Sequence, residues 1–198
     1  MQKPKMDSGR LEAFSDGVLA IIVTIMVLEI KVPHEAANFE ALKPLLPVFL
    51  SYILSFTMVL IYWNNHHHLF QPVESVNGNV LLANGYLLFW LSLLPFVTGW
   101  MGENHFASAP VFTFAFVMFM AGTAYYILER VLIKLNGKDS ILAKSIGKDN
   151  KGLISAGLLF ISMLTAFPYP MVSCVIFVLI PVMWIIPDKR IEKTLGEE

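Results

Sequence analysis

Arg10-Leu11-Glu12-Ala13-Phe14-Ser15-Asp16-Gly17-Val18-Leu19-Ala20-Ile21-Ile22-Val23-Thr24-Ile25-Met26-Val27-Leu28-Glu29 reads as a helix made to cross a lipid bilayer. From Gly17 to Leu28 nothing is charged and only Thr24 carries a hydroxyl. A hydrocarbon core about 30 Å thick is spanned by roughly 20 such residues. Two acids, Glu12 and Asp16, stand near the start. An ionised Asp at the bilayer centre costs about 2.5–3.5 kcal/mol even on the lowest scale, so a carboxylate there faces protein. The interfacial zone beside a helix N-terminus, where the dipole favours negative charge, would also suit both acids.

At about 100° per residue, Gly17, Ile21, Thr24, Ile25 and Leu28 fall within an arc of about 100°, whereas Asp16 lies about 140° from Ile21. The stripe and the acid look in different directions. One expects the stripe to face one partner surface while Asp16 bonds into a neighbouring helix. By itself an apolar stripe signals ordinary packing or lipid contact.

The rest of the chain repeats the theme. Of 198 residues 56% are apolar and 15% charged, with a mean hydropathy of +0.64, too hydrophobic for a soluble surface. The reading is an all-α integral membrane protein, a single domain over 1–198, with six transmembrane helices at roughly 11–32, 46–70, 80–101, 109–134, 152–168 and 170–187. Pro168 and Pro170 are the only break between the last two. They favour a tight helical hairpin over one kinked helix, since each removes a backbone donor and disfavours helix before it. No internal repeat or domain boundary is evident, and no cleavable signal peptide is expected.

Positive residues are retained on the cytoplasmic side. With six spans and both termini cytoplasmic, the inside segments hold Lys3, Lys5, Arg10, Arg130, Lys134, Lys138, Lys144, Lys148, Lys151, Lys189, Arg190 and Lys193, and the outside ones only Lys31 and Lys43, which is 12 against 2. The 134–151 loop, with Gly137, Asp139, Gly147 and Asp149, is expected to be a solvated connector and lacks the pattern of a phosphate-cradling loop. A net charge of −1 gives no reason to expect nucleic acid. The single cysteine, Cys174, excludes an intrachain disulfide and reads as a small apolar packing residue.

Two motifs point further. Arg10-x-x-x-Phe14-Ser15-Asp16 opens the first span, and Trp63-x-x-His66-x-x-Leu69-Phe70 closes the second. With Asn84 and Leu94-Pro95 in the third, they resemble the transmembrane protein 175 family of potassium channels. The likeness covers spans one to three; spans four to six agree only in hydropathy and count. It implies a homotetramer in a prokaryotic plasma membrane, with a central pore lined by helix one of each subunit. It also implies that Arg10, Phe14, Ser15, Asp16, Trp63, His66 and Asn84 form a packing network away from the conduction path. Carried over by distance from Asp16, the pore layers would be Ile21, then Thr24 and Ile25, then Leu28, with Ile21 the tightest ring.

Such a pore has no carbonyl filter. Asn84-Gly85-Tyr86-Leu87 is the nearest approach to a filter loop and sits in an apolar run. A ring of Ile side chains replaces no hydration and acts as a steric and dewetting barrier, cheaper for weakly hydrated potassium than for sodium. The expectation is a modest preference for potassium, aided by the Thr24 hydroxyls, with permeant K+ and no cofactor. Glu29, Glu35 and Glu40 lie at or beyond the outer end, where they could concentrate cations or be plain solvated acids.

His66, His67 and His68 invite a metal reading, but successive helical residues point about 100° apart, so no metal site is expected. His66 is expected to join the first-helix network, and His105 to be solvated. There is no His-Glu-x-x-His, no Gly-x-Ser-x-Gly and no aspartate pair of an intramembrane protease, so no enzyme is expected. The rival is a proton channel or proton-coupled cation transporter relaying through Asp16 and His66.

Overall fold

Among the described residues of the computed structural model, four helical segments are long and apolar enough to cross a membrane: Gly9–Leu28, Phe39–Phe70, Gly78–Glu103 and Ser108–Asn136. Two shorter apolar helices, Asn150–Thr165 and Pro170–Ile185, follow. This is a multi-pass membrane protein. The structure describes residues 6–33, 38–73, 75–137, 139–146 and 150–185. Lys3, Lys5, Glu35, Lys138, Gly147, Lys148, Asp149, Lys189, Arg190 and Lys193, and the last residues of the expected 170–187 span, lie outside them.

In chain order the helices are α1 (Gly9–Leu28), α2 (Leu46–Phe70), α3 (Gly78–Ser92), α4 (Leu94–Glu103), α5 (Ser108–Asn136), α6 (Ile141–Ile146), α7 (Asn150–Thr165) and α8 (Pro170–Ile185). A 3-10 turn, Phe39–Leu45, leads into α2. The expected 46–70 span is met at both ends, with a proline in the first turn of α2, where its missing N–H costs nothing. Helix α1 stops at Leu28, short of the expected residue 32. The third span is broken: α3 ends at Ser92, and α4 restarts at Leu94 with Pro95 in its first turn. Pro95 has no N–H to give the carbonyl four residues back, which is where a helix parts. The expected helical hairpin is present. Helix α7 ends at Thr165, α8 begins at Pro170, and the two pack on each other.

Two features depart from an all-helical, loop-connected reading. The connector after α5 contains α6, which buries Leu142. Gly137 ends α5 at φ 96°, a conformation that favours glycine. At the other end, β1 (Met6–Asp7) pairs antiparallel with β2 (Ser75–Val76), and the Ser8 hydroxyl donates to the Val73 carbonyl at 2.8 Å. The start of α1 is thereby laced to the α2–α3 junction. A two-residue strand carries no periodicity for a sequence to display.

Helix α5 is the hub and packs against α3, α4, α7 and α8. Phe114, Ala115, Ala121, Ala124, Leu128 and Leu132 are fully buried there. Helix α1 packs against α2, α3 and α4. Its buried positions are Leu11, Ser15, Leu19, Ile22 and Met26, a single stripe at spacings of four and three.

Candidate pore helix and its polar anchor

The buried stripe of α1 carries one polar residue, and that residue anchors the helix. The Ser15 hydroxyl donates to the Leu11 carbonyl one turn back at 2.9 Å and accepts from Asn84 Nδ2 on α3 at 2.9 Å. Asn84 Oδ1 meets His66 Nε2 on α2 at 2.9 Å. An amide oxygen only accepts, so His66 must hold its proton on Nε2. The chain therefore runs one way, from His66 to Asn84 to Ser15 to the backbone of α1. Ser15, His66 and Asn84 are all buried. Burying these groups is tolerable because each is paired; unpaired, each would cost about 1–3 kcal/mol. The His66 ring also stacks on Phe70 at a centroid distance of 4.6 Å.

Asp16 turns away from this chain. It is exposed and accepts from Trp63 Nε1 at 2.9 Å, and the Trp63 ring stacks on His67. Among the described residues no hydrogen bond joins Asp16 to His66. Five of the seven signature residues thus fall into two bonded groups between α1, α2 and α3. Arg10 and Phe14 are not drawn into them; both are exposed, Phe14 at 64%.

The opposite face of α1 is bare. Ile21 is 58% exposed, Ile25 42% and Leu28 72%, and Gly17 and Thr24 are exposed beside them. The Thr24 hydroxyl donates to the Ile21 carbonyl at 2.8 Å, which leaves its oxygen lone pairs outward. All five stripe residues are therefore uncovered by the rest of their own chain.

The acids at the far end differ among themselves. The Glu29 side chain packs beside Gly99, with Oε2 3.5 Å from where a Cβ on that glycine would stand, and its carboxylate is 3.7 Å from Lys31. Glu40 pairs with Lys43 three residues on. His105 is exposed in the turn after α4, at φ 49°. Among the described residues, no three His, Cys, Asp or Glu side chains are placed to share a metal ion.

One constellation escaped the reading of the sequence. Ser55 Oγ and Thr98 Oγ1 are 2.6 Å apart, buried between α2 and α4, and Thr98 Oγ1 points at Met26 Sδ of α1 at 3.9 Å. One turn on, a Cβ on Gly102 would lie 2.6 Å from both Ser51 Oγ and Val48 Cα. Small residues four apart on both helices, Ser51/Ser55 and Thr98/Gly102, let two backbones meet; that spacing is the signal that could have found them.

The chain is similar to several known proteins. Residues 10–95 match the model of a family described as endosomal/lysosomal potassium channel TMEM175. A potassium channel of Chryseobacterium sp. (strain P1-3) is 53% identical over 192 residues, covering 97% of this chain and 100% of that one. The human endosomal/lysosomal proton channel TMEM175 is 35% identical over 97 residues, 43% of this chain and 19% of that one. The crystal structure of a lysosomal potassium-selective channel TMEM175 homolog from Chamaesiphon minutus superposes with a TM-score of 0.76 at 28% identity, covering 90% of this chain and 96% of that one.

Proposed function

The chain belongs to the TMEM175 family, and on that footing we propose that it is a potassium-permeable channel. In this reading four copies surround a pore lined by α1. Ile21 forms the constriction, Thr24 and Ile25 the next layer, and Leu28 the outermost. The observation that carries it is the two-sidedness of α1: Ser15 is pinned through Asn84 to His66, while Ile21, Ile25 and Leu28 are left bare on the other side. Conduction needs a wall held at a fixed rotation, and the buried chain supplies that hold.

Each protomer counts six membrane helices, with α3 and α4 as one broken span and α7 and α8 as two short ones. At 1.5 Å per residue, 16 residues reach about 24 Å, which a locally thinned bilayer accommodates. Both ends lie in the cytoplasm and the host membrane is a prokaryotic cell membrane. Ile21 supplies no oxygen, so selection rests on the cost of partly stripping a hydrated ion, lower for potassium than for sodium. The outward lone pairs of Thr24 offer a weak cation ligand just beyond. Permeant K+ is the only occupant needed, and no cofactor takes part. Arg10 and Phe14, outside the bonded groups, are left to contact neighbouring subunits.

The deciding experiment is single-channel recording of the purified chain in planar bilayers under opposed potassium and sodium. Unitary currents reversing toward the potassium equilibrium potential are expected. Ile21→Asn should raise conductance about tenfold, as removal of about 1.4 kcal/mol of barrier would, and should erode the ion preference. Unchanged current in that variant would remove Ile21 from the constriction. A second reading draws on the human relative's name: a proton channel, or a proton-coupled transporter, working through Asp16 and His66. It predicts reversal that tracks the pH gradient and is abolished by Asp16→Asn. The bonds of Asp16 to Trp63 and of His66 to Asn84 favour the potassium reading, since an amide is a poor proton relay.

A further inference from the structure

A cavity of about 220 Å³ opens between α2, α5, α7 and α8, and no residue of α1 lines it. One end is apolar, walled by Met58, Ile61, Met118, Phe119, Leu159 and Ile180. Asn65, Tyr125, Ser155 and Trp184 gather toward the other, where the Tyr125 hydroxyl donates to the Asn65 carbonyl and the Trp184 indole N–H to Ser155 Oγ, each at 2.9 Å. The cavity is open at one side, where Tyr126 is 46% exposed and Leu153 69%.

One hydroxyl deep in this lining is left over. The Thr123 hydroxyl is taken up by the Phe119 carbonyl at 2.9 Å. Tyr62, a turn deeper along α2 than Asn65, packs its ring edge-on against Tyr125 at 6.1 Å, and its hydroxyl has no hydrogen-bond partner among the described residues. That oxygen lies 3.6 Å from where a Cβ on Gly122 would stand, so the glycine keeps space in front of it. An enclosed donor without an acceptor is a standing cost, and a guest that brings an acceptor removes it. Among the described residues no charged side chain lines the cavity, and Lys151, which lies over the Trp184 ring, is already engaged within the chain. The guest that fits is therefore neutral.

We propose that this cavity binds an uncharged, single-chain acyl ester of glycerol. The ester carbonyl accepts from the Tyr62 hydroxyl, the glycerol hydroxyls meet the Asn65 amide nearer the mouth, and the acyl chain fills the apolar end. Size and polarity select this guest. An apolar cavity of about 150 Å³ already takes benzene, and drug-sized pockets begin at roughly 300 Å³, so this one holds a single modest chain and neither a sterol nor two chains side by side. A fatty-acid anion would carry a charge into a lining that has none to meet it. An alkane would leave the Tyr62 hydroxyl unpaired.

Photolabelling of the full chain, purified in a maltoside detergent that contains no ester, tests it. The probe is octanoylglycerol carrying a diazirine at the chain end, and the competitors are octanoylglycerol, its ether analogue octylglycerol and ionised octanoate. Saturable label is expected on the α5 and α7 segments around Met118, Phe119 and Leu159. The ester should compete about fivefold more strongly than the ether, the scale of one neutral hydrogen bond, and octanoate most weakly. Tyr62→Phe keeps the ring and the cavity, so labelling should persist while the ester falls to the level of the ether. Gly122→Leu fills the space before the hydroxyl and should abolish labelling. Label that does not saturate, or that falls outside this lining, would leave water or detergent as the only guest and overturn the proposal. So would an undiminished ester preference in Tyr62→Phe, or octanoate competing as well as the ester, which would make the site one for an acid.

Discussion

Helices α1–α4 and helices α5–α8 keep their positions by different means. In the first group buried Ser15, Asn84 and His66 form one chain and Ser55 with Thr98 a pair, and these bonds cross between α1, α2, α3 and α4. In the second more of the work falls to volume. Phe114 meets Phe177 at a centroid distance of 4.9 Å in a core of fully buried alanines and leucines. The side-chain hydrogen bonds of that half include Thr165 with Ser173, Ser173 to the Ser162 carbonyl and Trp184 to Ser155 within the α7–α8 hairpin, and Tyr125 of α5 to the Asn65 carbonyl of α2. Hydrogen bonds fix rotation, because a turn of a few tens of degrees breaks them, whereas apolar packing fixes mainly distance. The half whose helix would present one face to an ion in the proposed pore is the half in which a chain of buried side chains joins three helices.

Substitutions at four positions would break or sharpen that contrast, each read as thermal unfolding in detergent. Phe114→Ala should be the most damaging, at about 3–5 kcal/mol, while Phe114→Leu should recover most of the loss. Asn84→Leu keeps the volume yet should cost about 2–3 kcal/mol, because His66 and Ser15 lose a buried partner each. If it proved as mild as Phe114→Leu, the contrast would fall. Gly102→Ala, whose new methyl would press on Ser51 and Val48 of α2, should cost about 1–3 kcal/mol and loosen the α2–α4 contact. Trp63→Phe removes an exposed bond to Asp16 and should cost under about 1 kcal/mol. A larger loss would move Asp16 into the same load-carrying set as Ser15.

The placement of long apolar helices was legible because burying backbone in lipid leaves few solutions, and runs such as 46–70 announce themselves. The separation of the Ile21 stripe from Asp16 followed from helical geometry, and Asp16 does bond to a neighbouring helix through Trp63. The break at Leu93 was not legible from hydropathy, which counts residues and takes no account of the donor missing at Pro95. Ser51, Ser55, Thr98 and Gly102 passed as filler in apolar runs, since their role lies in what they omit. The resemblance grouped Arg10 and Phe14 with Ser15, but a motif records distance along the chain. Phe14 is one residue from Ser15, about 100° around the helix, and faces outward.

The bare face of α1 also bears on how a ring of subunits holds together. In a bilayer Ile21 gains nothing by meeting another apolar side chain, because lipid tails are equally apolar. Moving an Ile from lipid to water costs about 1.5–3 kcal/mol, so four of them around a wet channel would strain the ring by roughly 6–12 kcal/mol. In the proposed pore, contacts elsewhere would have to bind the subunits, and the Ile21 layer would act against them like a spring that relaxes when the channel is dry. In that arrangement the side chains proposed to set the barrier to an ion would also bias the assembly toward closure, and a polar residue at 21 would release that spring.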